Sequence, residues 1–176
     1  DAVFFFLPGG MGINFIKQYI GGGLKEIPLV APGFSADQDV IQAVGEPMLG
    51  LYNTAHWTHD LPLPANTAFV SAFRKKYDGR YPTVYAAMAY DAIMAMDAAV
   101  RDVGGKLDDR AAVAKALAKP SFKSVRGEFS YGANNYPVQN YYLRVVEKDA
   151  EGKLTNKLVG TVMEKHQDAY VGECAL

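Results

Sequence analysis

The stretch that decides the fold is "AVFFFLPGGMGINFIKQYIGGGLKEIPLVAPGFSAD", residues 2–37. Ala2–Leu7 is a continuous apolar run, the pattern of a strand covered on both faces of a parallel sheet. Met11–Ile20 places Ile13, Ile16 and Ile20 on one helical stripe. Gly21-Gly22-Gly23 closes that helix, because glycine accepts the backbone that ends one. Ile27–Ala31 is a second short apolar run. Strand, helix and strand in this order predict a βαβ unit with parallel strands and a right-handed crossover. The expected fold class is α/β.

Reading outward, Ser35 or Asp37 is placed to cap a short helix over Asp37–Val44. Met48–Ala55 reads as a third strand, and "THDLPLPAN", residues 58–66, as a proline-broken crossing. In Ala65–Tyr77, Phe69, Phe73 and Tyr77 recur every fourth position. In Thr83–Val103, Tyr85, Met88, Ala92, Met96, Ala99 and Val103 are the expected buried face. Alanine fills much of the remainder, which predicts an enclosed helix. Gly104-Gly105 stops it, and Asp108 is placed to cap Arg110–Ala118. A short strand is expected near Gly127–Tyr131. Val138–Lys148 and Leu154–Glu164 flank the turn "DAEGK" and predict an antiparallel hairpin.

The 176 residues are 49% hydrophobic and 21% charged, enough apolar content for a core and too much for a disordered chain. A formal net charge of -1 argues against nucleic acid or an anionic membrane as partner. Arg74-Lys75-Lys76 reads as one solvated helix face. Cys174 has no internal partner, so it stays free or pairs outside the chain. No apolar run reaches the length of a membrane span. "DAVFFFL" opens inside a buried-strand pattern, which leads us to expect a preceding segment of a longer protein.

Ligands of open parallel sheets bind beyond the carboxyl ends of the strands. Two loops meet that condition, Leu7–Met11 and Pro32–Asp37. Gly9 and Gly10 either expose backbone N–H groups to a ligand or serve close packing of strand on helix; the spacing leaves both open. No charged side chain lies in either loop before Asp37. A wall of Leu7, Pro8, Gly9, Gly10, Met11, Pro32, Gly33 and Phe34 suits a flat or apolar small molecule, and lacks the lysine and glycines that phosphate requires.

The rival chemistry is a metal site in "HWTHD", with His56, His59 and a third ligand from Asp60, His166 or Cys174. No helix frames these residues, and a solvated crossing fits them better. Ser35 lies in "GFSAD", which is not a nucleophile elbow. Asp108-Asp109 and Asp37 with Asp39 read as helix caps and first-turn charges. Tyr136, Tyr141 and Tyr142 read as strand packing. No catalytic residue, metal or cofactor is expected.

Taken in order, "AVFFFLPGGMGINFIKQY", "LVAPGFSAD", "EPMLGLYNTAHW", "PTVYAAMAYDA" and "FKSVRGEFSYGANNYPVQNYYLRVV" resemble the C-terminal half of a periplasmic solute-binding protein of ABC importers. The type is the branched-chain amino-acid binder, the type I Venus flytrap. The resemblance implies two α/β lobes joined by crossings, with ligand in the cleft. Residues 1–56 would belong to lobe 2, 57–134 to a mostly helical part of lobe 1, and 135–176 would return to lobe 2. Hinges would lie near Tyr52–Asp60 and Gly132–Pro137. It further implies a periplasmic location, a membrane permease as partner, and either a preceding N-terminal segment or a self-paired dimer to complete the sheets. Amino-acid binders of this type hold the ligand ammonium with an acidic residue where this chain has Gly33. The expectation is therefore a small organic acid, aromatic rather than a standard α-amino acid. A ligand-sensing receptor domain of the same fold is the alternative.

Overall fold

Three short parallel strands and a long returning hairpin make the sheet of this computed structural model, which describes residues 1–174. Ala175 and Leu176, the end of the expected tail segment, lie outside the described residues. In chain order, β1 (Val3–Phe4), α1 (Gly10–Gly21), β2 (Leu29–Pro32), α2 (Gln38–Val44) and β3 (Tyr52–Ala55) come first. The helices α3 (Pro64–Lys76), α4 (Val84–Asp102) and α5 (Arg110–Ala118) follow, then β4 (Ser130–Tyr131), β5 (Pro137–Lys148) and β6 (Leu154–His166). β1 pairs with β2 and β2 with β3, both parallel, so the βαβ reading holds. β5 runs antiparallel to β3 and β6, and its first residues pair with β4.

The core lies on one face of this sheet. Phe5, Leu29, Ala31, Leu51 and Val146 meet Ile16 and Tyr19 of α1 and Val40 and Ile41 of α2. A second cluster, Trp57, Leu61, Phe69, Val84, Ala87, Val125 and Tyr142, gathers the helical block. The Trp57 indole donates to Asn66 Oδ1 at 2.8 Å, and Asn66 returns its amide protons to the carbonyls of Thr58, His59 and Leu61. That buried amide holds the crossing against the start of α3, because its backbone groups would otherwise lack partners. The Phe69, Phe73 and Tyr77 rings stack along α3 as their spacing predicts.

Several expectations need correction. Ala2–Leu7 is not covered on both faces: Phe5 is buried while Phe4 and Phe6 are 67% and 62% exposed. The run alternates like a strand with one open face. The third strand starts at Tyr52, because Glu46–Met48 forms a one-turn helix and Met48 enters the core there. α4 buries Val84, Ala87, Asp91, Ala95, Ala98 and Ala99, whereas Tyr85, Met88 and Met96 point outward and Ile93 is 63% exposed. It is therefore not enclosed among the described residues. Asp109, not Asp108, caps α5, accepting from Ala112 N at 3.0 Å. Thr83 caps α4 in the same way. Arg74 leaves the solvated face of α3. Its guanidinium lies over the Tyr81 ring and pairs with Glu151 in the β5–β6 turn, while the Tyr81 hydroxyl donates to Asp149 Oδ2 at 2.8 Å.

Candidate functional site

Because β1 and β2 are parallel neighbours, the loops beyond their carboxyl ends lie side by side. The Phe6 and Phe34 rings meet edge-to-face with centroids 4.9 Å apart, one from each loop. The glycines divide the two roles that their spacing left open. A Cβ on Gly12 would sit 2.2 Å from the Leu7 carbonyl oxygen, so Gly12 permits close approach of α1 to its strand. Gly9 and Gly10 face open space, with no atom within 4 Å of an added Cβ. Gly9 also has φ 57°, which only glycine takes without strain. They expose the start of α1, whose first N–H groups have no carbonyl one turn back.

Pro8, Gly9, Gly10 and Met11 are exposed, and Leu7, Pro32 and Phe34 are half-buried. Gly33 lies beneath the wall. A Cβ there would come within 2.8 Å of Ala55 Cβ and the Thr54 carbonyl, and 3.0 Å of Arg144 Nη2. No side chain fits at that position without displacing β3 or Arg144.

Arg144 is the centre of a buried polar network that the residue pattern did not announce. Its Nε donates to Asn53 Oδ1 at 2.8 Å, Nη1 to the Trp57 carbonyl at 3.3 Å and Nη2 to the Gly33 carbonyl at 3.5 Å. Nη1 also lies 3.7 Å from Asp37 Oδ1. Asp37 stands at the N-cap of α2, but its carboxylate accepts from Val84 N at the start of α4, at 2.7 Å. Burial pushes the Asp37 carboxyl up to about 6, against the pull of Arg144 and the Val84 N–H. Asn53 and Asn156 bond at 2.7 Å, and Asn156 donates onward to the Ala36 carbonyl at 2.8 Å. The loop after β2, the hairpin, the crossing and α4 are thus held by one set of hydrogen bonds. Only a polar residue inside an otherwise apolar strand, "YYLRVV", signalled it in the sequence.

The residues of the metal reading sit among other neighbours, although Nε2 of His56 and of His59 has no hydrogen-bond partner. Asp60 accepts from Thr58 Oγ1 at 2.7 Å and from Leu158 N at 3.0 Å. His59 stacks on Tyr81 and His56 stands edge-on to Tyr141, with centroids 4.3 Å and 6.4 Å apart. Burial lowers both histidines, His56 to about 4, with the charges of Arg126 and Arg144 adding to the shift. Among the described residues no group of three His, Cys, Asp or Glu side chains is placed to hold a metal.

A groove of about 910 Å³ lies away from both loops, between Pro64 at the start of α3, Ala118 at the end of α5, and Phe122 and Phe129. Its charged side chains, Lys119, Lys123 and Glu128, are solvent-exposed, so no buried polar group orients a ligand there.

A parallel-sheet body with bare loops at its strand ends is tied here to a helical block. The chain belongs to the periplasmic binding protein family, which it matches over residues 1–152. It is 34% identical to the Leu/Ile/Val-binding protein homolog 6 of Brucella melitensis, across 96% of this chain and 44% of that protein. Its structure is similar to an ABC transporter solute-binding protein of R. palustris in complex with benzoate, with TM-score 0.86 and 38% identity over 100% of this chain and 46% of that one. A solute-binding protein of Rhodopseudomonas palustris BisB5 in complex with 3,4-dihydroxybenzoic acid aligns with TM-score 0.83 and 32% identity, over 99% and 47%. The chain therefore spans less than half the length of each of these relatives.

Proposed function

We propose that this chain is part of the substrate-binding component of an ABC importer that captures a small aromatic carboxylate in the periplasm. The observation that carries the ligand class is the loop pair. Its wall is uncharged, it bears two aromatic rings and bare helix-start backbone, and Gly33 leaves no room for an acidic side chain. A buried ammonium without a carboxylate partner is strongly disfavoured, whereas an aromatic ring gains from the apolar wall. The aromatic acids bound to the two R. palustris proteins support the same class; the leucine, isoleucine and valine of the Brucella protein's name do not.

In this reading residues 1–56 and 135–174 form one lobe, since β5 pairs with β3, and 57–134 belong to the other. The open sheet face around Phe4 and the outward face of α4 are covered by a preceding segment of polypeptide. Ligand bridging the lobes favours the closed form, which the membrane permease reads. The test is calorimetry on the full-length polypeptide carrying this chain. Binding of benzoate or 4-hydroxybenzoate, with no heat from leucine or valine, is the expected result. Tight binding of leucine with no response to aromatic acids overturns the ligand class.

A further inference from the structure

The strand register places a row of rings across the carboxyl end of the sheet. Phe4, Val30 and Tyr52 are paired neighbours on its open face, and Pro32 and Thr54 are the last pair between β2 and β3. By this register Phe6 stands level with Pro32 and Thr54, and Phe34 and His56 come two residues beyond them. The β3–β5 register, with Thr54 opposite Leu143 and Ala55 opposite Tyr142, brings His56 opposite Tyr141. Among the described residues the rings meet in two groups, and no ring contact joins Phe34 to His56. Phe6 meets Phe34 at 4.9 Å, His56 meets Tyr141 at 6.4 Å, and Tyr141 meets His166 at 5.6 Å, all edge-to-face. One end of the row is hydrocarbon and the other carries imidazole.

Within this row the His56 Nε2 atom is buried and has no hydrogen-bond partner. A buried polar atom left unpaired costs free energy, so a ligand that completes the bond is favoured; Ser35 Oγ and His59 Nε2 are unpaired in the same way. The chemistry at His56 points to a neutral partner. Both nearby cations are already engaged: Arg126 donates to Asp91 Oδ2 at 3.0 Å and to Gln139 Oε1 at 2.8 Å, and Arg144 is held in its own network. An incoming carboxylate would meet no free cation there and would add to the charge of Asp91. A hydroxyl both donates and accepts, so it suits either tautomer of an uncharged imidazole. The low proton affinity of His56 agrees with an uncharged ring at neutral pH.

We propose that His56 is a specificity-determining residue whose Nε2 hydrogen-bonds a ring hydroxyl of the aromatic acid, with the ring resting along the Phe6–Phe34 end of the row. This rests on the aromatic-acid reading above. It adds that hydroxylated ligands are preferred over the bare ring, and it names the atom that makes the choice.

The experiment compares dissociation constants for benzoate, 3-hydroxybenzoate and 4-hydroxybenzoate on the full-length polypeptide, in the natural sequence and in His56→Leu and His56→Gln. The natural protein is expected to prefer one hydroxybenzoate by about tenfold, the worth of one well-made hydrogen bond. His56→Leu brings that ratio close to one while benzoate affinity stays within about threefold; His56→Gln keeps part of the preference, since its amide can still pair with the hydroxyl. A thermal midpoint in His56→Leu at or above that of the natural protein confirms that folding is intact. A preference that survives in His56→Leu overturns the proposal and leaves the aromatic-acid reading standing, as does an equal loss for benzoate and the hydroxybenzoates. A natural protein that binds none of the three overturns both.

Discussion

The sheet body and the helical block are built from similar proportions of apolar side chains, yet they bury them differently. In the body, Phe5, Leu29, Leu51 and Val146 close on α1 and α2, and Ile16 and Ile41 are almost wholly inaccessible. In the block, α4 buries alanines and turns Ile93 and Met96 outward, at 63% and 54% exposure. Alanine contacts allow close helix packing but contribute little area each, so polar anchors share the work of holding the block. Asp91 in α4 accepts from Ser124, Val125 N and Arg126, and Asp37 reaches across from the body to Val84 N. The block thus adds placed polar groups to its Trp57–Phe69 cluster.

The largest expected effect follows from the group that joins the two. Arg144→Met leaves Asp37 buried without its cation, and should cost about 3–5 kcal/mol in denaturant unfolding. Adding Asp37→Asn to that variant should restore part of the loss. A loss below 1 kcal/mol, on the order of a surface pair, contradicts a buried junction. Next in size, Gly12→Ala drives a methyl into the Leu7 carbonyl and should cost about 1–3 kcal/mol. Gly10→Ala meets open space in the first turn of the same helix and should be neutral or stabilising by about 0.5–1 kcal/mol. Equal effects at the two glycines would erase the distinction between packing and exposed backbone.

A smaller effect appears as a slope against pH. His56 binds its proton in the unfolded chain near 6.5 but in the folded one only near about 4, so its burial costs stability as pH falls through that window. Asp37 acts in the opposite sense: raised to about 6 from 3.8, it gives stability back as pH falls through about 6 toward 4. Denaturant midpoints at pH 7 and pH 4.5 should therefore fall less steeply in His56→Leu and more steeply in Asp37→Asn than in the natural chain. Identical slopes in all three would show that neither group titrates as buried. Smallest of all, Ile93→Asn should stay within about 0.5 kcal/mol in the 176-residue chain. A loss above 1 kcal/mol, outside the usual surface range, shows that another surface covers the outward face of α4.

What was legible in the sequence was local. The βαβ order, the glycine stops and the hairpin turn depend on neighbours a few residues apart, and they stand where expected. The eight residues proposed as a wall lie on two loops that the strand order puts side by side, with Gly33 beneath the others. Its closure comes from Ala55 and Arg144, which only the sheet pairing brings near. The buried side of α4 was misread because both of its stripes are apolar, and periodicity alone does not choose between them. Asp37 looked like a cap because a carboxylate at that position usually is one; the competing bond to Val84 N comes from a distant element. The ring row depends on register between β3 and β5, which no local pattern encodes.

A crystal structure of the full-length polypeptide grown with 4-hydroxybenzoate is the most direct test of the loop wall. The proposed site predicts the aromatic ring in van der Waals contact with Phe34 and the Pro8–Gly10 backbone, with its hydroxyl toward His56. Density for the ligand in the groove between Pro64 and Phe129, with these loops empty, would contradict it.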